Sequence, residues 1–268
     1  MSDSDQMKVS VLASSSKGNS LYVETPTHKI LIDAGLSGKK IKNLMSSINR
    51  DLGDVDSLFV THEHSDHCRG VGVLARRYHL NVYANEKTWQ AMAHTIGKVP
   101  PELVNDLEAN QTLSLGDLDV ESFSVSHDAA DPQFYNLHCG GKSFVDLTDT
   151  GYVSDKMKYV IQNADGFLME CNHDLEMLRN GGYPWPLKQR IISDEGHLSN
   201  ADSADVLTDV IGNDTKQVYL GHLSPENNRK PLAHKTVAQT LEQRDYGVDH
   251  DFMLHDTDPE KATKLIVI

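Results

Sequence analysis

Three things are in short supply in this sequence, and each shortage excludes something. Cysteine occurs only as Cys68, Cys139 and Cys171, an odd number at irregular spacing, which excludes a disulfide framework and points to a reducing compartment. The three read as buried or half-buried thiols, with Cys68 set apart because it directly follows a candidate metal ligand. No apolar run approaches the roughly eighteen residues that a membrane span needs, so no partner in a membrane is expected. Met1 is followed by Ser-Asp-Ser-Asp-Gln rather than by a basic stretch and an apolar one, so no signal peptide is expected either, and the expected location is cytoplasmic. Basic residues are outnumbered 25 to 39, a net charge of −14. Such a surface repels a polyanion and excludes nucleic-acid binding through a broad basic face. A polyanion drawn in by bound metals and a few local cations is still compatible with it, since two divalent ions offset about four charges locally. Internal repeats, low-complexity linkers and breaks in composition are also missing, and residues 1–268 are expected to form a single domain.

Histidine, by contrast, is plentiful, with 14 residues. It is the commonest metal ligand, so the positions of these residues decide their meaning. Alternating β-rich segments predict strands over Lys8–Ala13, Leu21–Glu24 and Lys29–Ile32, with Ser14–Ser20 as a polar turn. Ile41, Leu44, Met45 and Ile48 recur at helical spacing. Ser57–Val60 reads as a short buried strand that delivers the chain into the run Thr61-His62-Glu63-His64-Ser65-Asp66-His67. Helices are expected over Val71–Arg77 and Glu86–His94 around a strand Asn81–Ala84. A hairpin is expected at Thr112–Leu115 and Leu118–Val125, and strands at Phe134–His138 and Lys142–Asp146 joined through Cys139-Gly140-Gly141. Beyond Asp149 the helical share rises, with candidates Ser154–Ile161, His173–Leu178, Ala201–Ile211 and Leu232–Gln243 and strands Gly166–Met169 and Gln217–Leu220. This α/β alternation fits two mixed sheets between helices, a four-layer αββα sandwich, although periodicity alone does not choose it over other α/β arrangements.

His62, His64, Asp66 and His67 place four potential ligands in six residues, immediately after a buried strand. In a tight turn they can splay into two groups serving two neighbouring ions, and imidazole with carboxylate suits zinc, manganese or iron better than calcium or magnesium. A local cluster cannot close two metal sites alone. His127, Asp149 and His222 each sit just past an apolar strand, where loops carry ligands on a rigid scaffold, and they complete a candidate set of metal ligands. His28, His79, His94, His138, His173, His234, His250 and His255 lack that placement and read as surface or packing residues.

The series His62-x-His64-x-Asp66-His67, His127, Asp149, His222 resembles the ligand motifs of the metallo-β-lactamase superfamily, over nearly the whole chain from Val9 to about Leu254. Within it the chain most resembles the YycJ group, also called WalJ or VicX, through Gly18-Asn19-Ser20, Thr61–His67, Glu195-Gly196-His197-Leu198-Ser199-Asn200 and Gly221-His222-Leu223-Ser224-Pro225-Glu226-Asn227-Asn228. The resemblance implies the metallo-β-lactamase αββα fold and two divalent metal ions, zinc or manganese or, failing those, iron. His62, His64 and His127 would hold one, Asp66, His67 and His222 the other, and Asp149 would bridge. It further implies a hydroxide held by the metals as nucleophile and a 5′ to 3′ exonuclease acting on double-stranded DNA.

The fold hosts several hydrolyses, so the choice of bond rests on residues around the metals. His197 is not needed to complete either metal. Resemblance to phosphodiesterases of the superfamily places such a histidine beside the scissile phosphate with an acidic partner, here Glu170; Asp66, His197 and Glu170 are the expected catalytic residues. A histidine kept cationic by a carboxylate can stabilise phosphorane charge and protonate the leaving oxygen. Lys17, Arg69, Arg76, Arg77, Arg179 and Arg190 are candidate phosphate contacts without forming a stripe, and Ser14–Ser16 and Asn227-Asn228 are candidate substrate contacts. The interval from Asp149 to His222 has no room for a large inserted domain, and no glycine-rich basic arm is present, which argues against a long folded RNA. Competing readings are a thioester or lactone hydrolase, against which the mostly acidic or neutral Thr240–Ile268 counts, and a regulatory protein without turnover, against which the complete ligand set counts. An oxygen-reducing di-iron role is weaker still, because such sites favour a carboxylate at the position of His64.

Overall fold

Alternating apolar side chains draw the start of the chain into three antiparallel strands, β1 (Lys8–Ala13), β2 (Ser20–Glu24) and β3 (Lys29–Ile32), with a bulge between Val11 and Ala13. The computed structural model describes residues 6–268; the Ser-Asp-rich start from which the lack of a signal peptide was read lies outside the described residues. The chain divides into two compact units. One comprises residues up to 124, Ala129–Lys142 and Asp258–Ile268, the other Val125–Asp128 and Ser143–Thr257.

In the first unit the chain continues through α1 (Gly38–Ser47), β4 (Ser57–Phe59), α2 (Ser65–Cys68), α3 (Val71–Tyr78), β5 (Asn81–Ala84), α4 (Glu86–Ile96) and β6 (Val104–Asp106). β3, β4, β5 and β6 are parallel neighbours, and the strand Ile266–Val267 pairs antiparallel with β1 at the opposite edge. The helices start where their sequences provide caps: Ser37 accepts from the Lys40 N–H at α1 and Asn85 from the Thr88 N–H at α4, each satisfying a donor that the first turn leaves open. α1 turns Ile41, Leu44 and Met45 inward onto Leu12, Leu31, Leu58 and Leu74, and each such fully buried side chain contributes roughly 1.5–3 kcal/mol. An antiparallel meander of β7 (Thr112–Leu115), β8 (Leu118–Ser124) and β9 (Gln133–Cys139) completes the unit. It meets the end of β4 directly, the Tyr135 hydroxyl donating to the Val60 carbonyl at 2.8 Å and the Gln133 N–H to the Thr61 carbonyl at 3.1 Å.

The second unit is built on four parallel strands, β10 (Lys142–Leu147), β11 (Gly166–Glu170), β12 (Gln217–Gly221) and β13 (Met253–Asp256), each paired with the next. β11 is buried along its whole length, as a strand covered on both faces must be. The connections carry α5 (Asp155–Ile161), α6 (Leu175–Asn180), α7 (Trp185–Ile191), α8 (Asn200–Val210) and α9 (Lys230–Glu242). Two departures from the sequence expectation have an identifiable cause. The helix expected to begin at His173 begins at Leu175, because the Asp174 carboxylate accepts from the Met177 N–H at 2.8 Å and fixes the start. α7 escapes a periodicity search because it is short and opens Pro184-Trp185-Pro186, a placement that suits only a first helical turn. Among the described residues no helix is long and apolar enough to cross a membrane.

Candidate metal centre

Functional groups in open α/β sheets gather at the carboxyl ends of parallel strands, and in the first unit those ends deliver Asp33, after β3, and Thr61–His67, after β4. Asp33 has φ of 59°, a left-handed conformation that costs a residue with a side chain and recurs at functional sites. Its carboxylate accepts from the Thr61 N–H at 2.9 Å and the Thr61 hydroxyl at 2.7 Å, and lies 2.6 Å from His67 Nδ1. Since the Thr61 hydroxyl spends its proton on Asp33, it can only accept from His62 Nδ1, 2.9 Å away. Both rings therefore carry their proton on Nδ1 and keep Nε2 as a lone-pair nitrogen, the state a metal ligand needs. His64 precedes α2, its ring edge-on to that of His62 with centroids 4.6 Å apart, and His67 lies 4.2 Å from His62. Asp66 Oδ2 is 3.5 Å from His67 Nε2. Asn19 reaches the same ring, Nδ2 to Nε2 at 3.0 Å.

The second unit assembles the other half of the expected residues. Asp149 follows β10, Glu170 ends β11, His222 follows β12, and His197 lies just before α8. Asp149, Glu170, His197 and His222 each offer an atom within 4.8 Å of the others. His222 Nδ1 lies 3.2 Å from Glu170 Oε1, which leaves Nε2, 3.4 Å from Asp149 Oδ1, as its lone-pair nitrogen. His127 Nδ1 donates to the Gly196 carbonyl at 3.0 Å, and its Nε2 is 3.7 Å from Asp149 Oδ1. Asp149 and His222 share the left-handed backbone of Asp33, with φ of 57° and 54°. Each unit thus presents imidazoles in the ligating tautomer beside carboxylates, and this donor chemistry fits a borderline divalent metal.

His197 stands apart within this cluster. Its Nδ1 is 2.7 Å from Glu170 Oε1 and 3.4 Å from Asp149 Oδ1. Its side chain is 17 % exposed, against 0 % for Glu170 and 1 % for His222, so it keeps an edge in solvent. Burial alone would push the Glu170 carboxyl up, but the His197 charge and hydrogen bonds from His197 and His222 outweigh it and hold the group below the usual carboxylate range. The other Glu170 oxygen, Oε2, accepts from the Thr150 N–H at 2.8 Å. Glu170 is thereby an ionised, fully employed anchor.

Several expectations are revised here. Asn227 and Asn228, expected as substrate contacts, are buried. The Asn228 amide donates to the carbonyls of Cys171 and Asn172 and to Asn200 Oδ1, while Asn172 donates to the His222 carbonyl at 3.0 Å. Asn172, Asn200 and Asn228 thus tie the segments that follow β11 and β12 to the start of α8. Ser14 and Ser15 are buried as well, leaving Ser16 exposed. Cys68 is fully buried, donates to the Glu63 carbonyl, and has its thiol pushed up to about 12, chiefly by burial; it is an inert packing group. Of the candidate phosphate contacts, Arg76 is spent on the carbonyls of Ile96 and Lys98, Arg179 on Glu176 and Arg190 on Asp128, while Lys17 and Arg69 are exposed and make no ion pair among the described residues. Asp33 and Thr61, which orient two of the histidines, were not singled out by the sequence; the available signal was a lone carboxylate directly after an apolar strand.

His173 is a packing residue with a measurable consequence. It is 1 % exposed, and neither ring nitrogen has a hydrogen-bond partner among the described residues. Burial, the largest influence, pulls its pKa down to about 4. A histidine held neutral in the fold is protonated first in the unfolded chain, so its stabilising contribution is complete above about pH 6.5 and is lost as pH falls towards 4. Between pH 7 and pH 5 the loss amounts to roughly 2 kcal/mol. In urea unfolding at these two pH values, His173→Leu should lose less stability than the wild type by about that amount; an identical pH dependence would show that the ring is solvated.

Comparison with known proteins places these features in context. Residues 28–223 match the family model described as the Beta-lactamase superfamily domain. The chain is 57% identical over 263 residues to the exodeoxyribonuclease WalJ of Streptococcus pneumoniae serotype 2 (strain D39 / NCTC 7466), covering 97% of this chain and 98% of that one. It is 53% identical over 256 residues to the exodeoxyribonuclease YycJ of Bacillus anthracis, covering 96% and 97%. Among solved structures, the metallo-beta-lactamase fold protein YhfI from Bacillus subtilis aligns with a TM-score of 0.73 at 14% identity over 97% of this chain and 99% of that one. The short form of human tRNase Z aligns at 0.64 and 13% identity over 97% and 99%. The fold these structures share with the chain is the four-layer αββα sandwich.

Proposed function

We propose, from the premise that the chain belongs to the metallo-β-lactamase superfamily and to its WalJ/YycJ exodeoxyribonuclease group, that it degrades double-stranded DNA in the 5′ to 3′ direction. The chain is a metal-dependent hydrolase of the phosphodiesterase and exonuclease type. In our reading His62, His64 and His127 hold one divalent ion, Asp66, His67 and His222 hold the second, and Asp149 serves both, with zinc or manganese as the metals. When bound, such a pair supplies an activated water and a clamp on the phosphate oxygens.

The observation that carries phosphodiester cleavage is the His197–Glu170 pair, at 2.7 Å, with the partly exposed ring beside a fully buried carboxylate. Glu170 engages Nδ1, which leaves Nε2 as the nitrogen able to hold a proton for the leaving oxygen. The buried carboxylate stabilises the imidazolium in that state and fixes the plane of the ring. A cation aimed into the site also meets the extra negative charge of a pentacoordinate phosphate. Carbonyl substrates develop a single oxyanion, which metals alone can meet, so a separate cationic acid suits the phosphodiester better. Basic residues are outnumbered 25 to 39, and a DNA end drawn in by metals and a local cation such as Lys17 or Arg69 is compatible with that balance.

The test is a panel run on one metal-analysed sample. Duplexes labelled at the 5′ or the 3′ end, bis(p-nitrophenyl) phosphate, and a set of thioesters and lactones are supplied with manganese or zinc. Mononucleotide release from the 5′ label ahead of the 3′ label, with carbonyl esters untouched, is the expected pattern. Turnover of thioesters or lactones with intact duplexes would overturn the reading.

A further inference from the structure

Tyr152 follows Asp149 by three residues, so their Cα atoms lie no more than about 11 Å apart. Tyr152 is 50% exposed, and its hydroxyl makes no hydrogen bond among the described residues. The backbone beneath it has no slack. Thr150 donates through its N–H to Glu170 Oε2 at 2.8 Å and through its hydroxyl to the Tyr152 carbonyl at 2.7 Å, and the Gly151 N–H donates to the Ser126 carbonyl at 2.9 Å. Gly151 is pressed so closely onto the next loop that a Cβ there would lie 2.3 Å from the Ser193 carbonyl oxygen and 2.4 Å from that of Asp194. Ile192, beside this contact, is 49% exposed. Tyr152, three residues past Asp149, and Ile192 thus expose apolar surface on two loops held in contact at Gly151. Apolar surface left in water is recovered only when something covers it.

Resting on the nuclease reading above, we propose that Tyr152 is a stacking platform for the nucleobase of the terminal nucleotide, the one whose phosphodiester is being cut. An exonuclease must accept every base it reaches, and stacking is sequence-tolerant because every base has a π-face. The chain's net charge of −14 limits how much of a DNA end can be held through phosphates, and a face-to-face aromatic contact needs no counter-charge. A tyrosine held by a pinned backbone has only two side-chain torsions to settle, so ordering it on binding costs little. Successive nucleotides rise by about 3.4 Å along a strand, so after each cut the next base advances onto the same ring.

The experiment compares duplexes that carry either a normal terminal nucleotide or an abasic tetrahydrofuran in its place, degraded by the wild type and by Tyr152→Ala, Tyr152→Phe and Tyr152→Trp. The wild type should prefer the base-bearing end by about tenfold in kcat/KM, mostly through KM. Tyr152→Ala should reduce that preference to near unity, and the Phe and Trp variants should keep it. Thermal unfolding at the wild-type temperature checks that each variant is folded, and Phe, which differs only by the exposed hydroxyl, preserves the test should Ala fold poorly. An Ala variant with the full preference, or a Phe variant that loses it, overturns the platform while leaving the nuclease reading intact. A wild type that degrades neither duplex overturns the nuclease reading and the platform with it.

Discussion

His197→Ala should lower kcat on duplex DNA by about 10²- to 10⁴-fold, the range for loss of a positioned general acid, with metal content unchanged. The ring is not among the seven proposed ligands, and it is the partly exposed imidazole of its cluster, with a side chain 17 % exposed. Its removal takes away the proton for the leaving oxygen and a cation beside the phosphate without unbinding an ion. Glu170→Gln should fall between the wild type and this variant, because the amide oxygen still meets Nδ1 while the charge that stabilises imidazolium is gone. Glu170 Oε1 also lies 3.2 Å from His222 Nδ1, so the double variant separates the two roles. The fraction of the Glu170→Gln defect that acts through His197 should disappear in the His197→Ala background, and the remainder reports on the ligand histidine. Steady-state kinetics beside metal analysis decides the matter. Wild-type turnover in His197→Ala would remove the residue from the mechanism, and a fall in activity that merely tracks lost metal would reassign it as a ligand.

Stripping the metals should abolish turnover and destabilise the fold together. Asp149, at 3% exposure, and His62, His67 and His222, at about 1% or less, are proposed ligands whose burial is costly without the cation they would hold. A ligand at a thousandfold excess over its Kd stabilises by about 4 kcal/mol, and for a chain of this size that corresponds to a fall in Tm on the order of 10 °C when it is removed. Dialysis against a chelator followed by calorimetry should show that fall, and stepwise return of manganese or zinc should restore Tm and DNA degradation in parallel. Chelated protein that degrades DNA at the untreated rate would exclude a catalytic metal.

Much of this was legible in the residues, for identifiable reasons. The strand over Lys8–Ala13 was readable because burial on a sheet leaves a short-range pattern, and α1 because Ile41, Leu44 and Met45 share one face. The ligand candidates were readable because each follows an apolar strand directly. Asp33 was not, since its role depends on β3 and β4 lying side by side, and parallel pairing leaves no mark at short range. Asn227 and Asn228 read as exposed turn chemistry because asparagine favours turns, whereas in the fold both are buried and the Asn228 amide donates to carbonyls just past β11 and to Asn200 Oδ1. The pairing of His197 with Glu170 joins residues far apart in sequence, and it came from family resemblance rather than from spacing.

The left-handed backbone at Asp33, Asp149 and His222 also bears on how such a chain can diverge. At each position the peptide geometry favours glycine, tolerates asparagine, aspartate and histidine, and penalises β-branched residues. All nine non-glycine residues with positive φ among the described residues are aspartate, asparagine or histidine, so selection on the metals and tolerance in the backbone coincide at all three positions. In a lineage freed from catalysis, the backbone at these positions should still resist β-branched replacements. The two aspartates and His222, all tolerated by their backbone, should outlast the chemistry that placed them there.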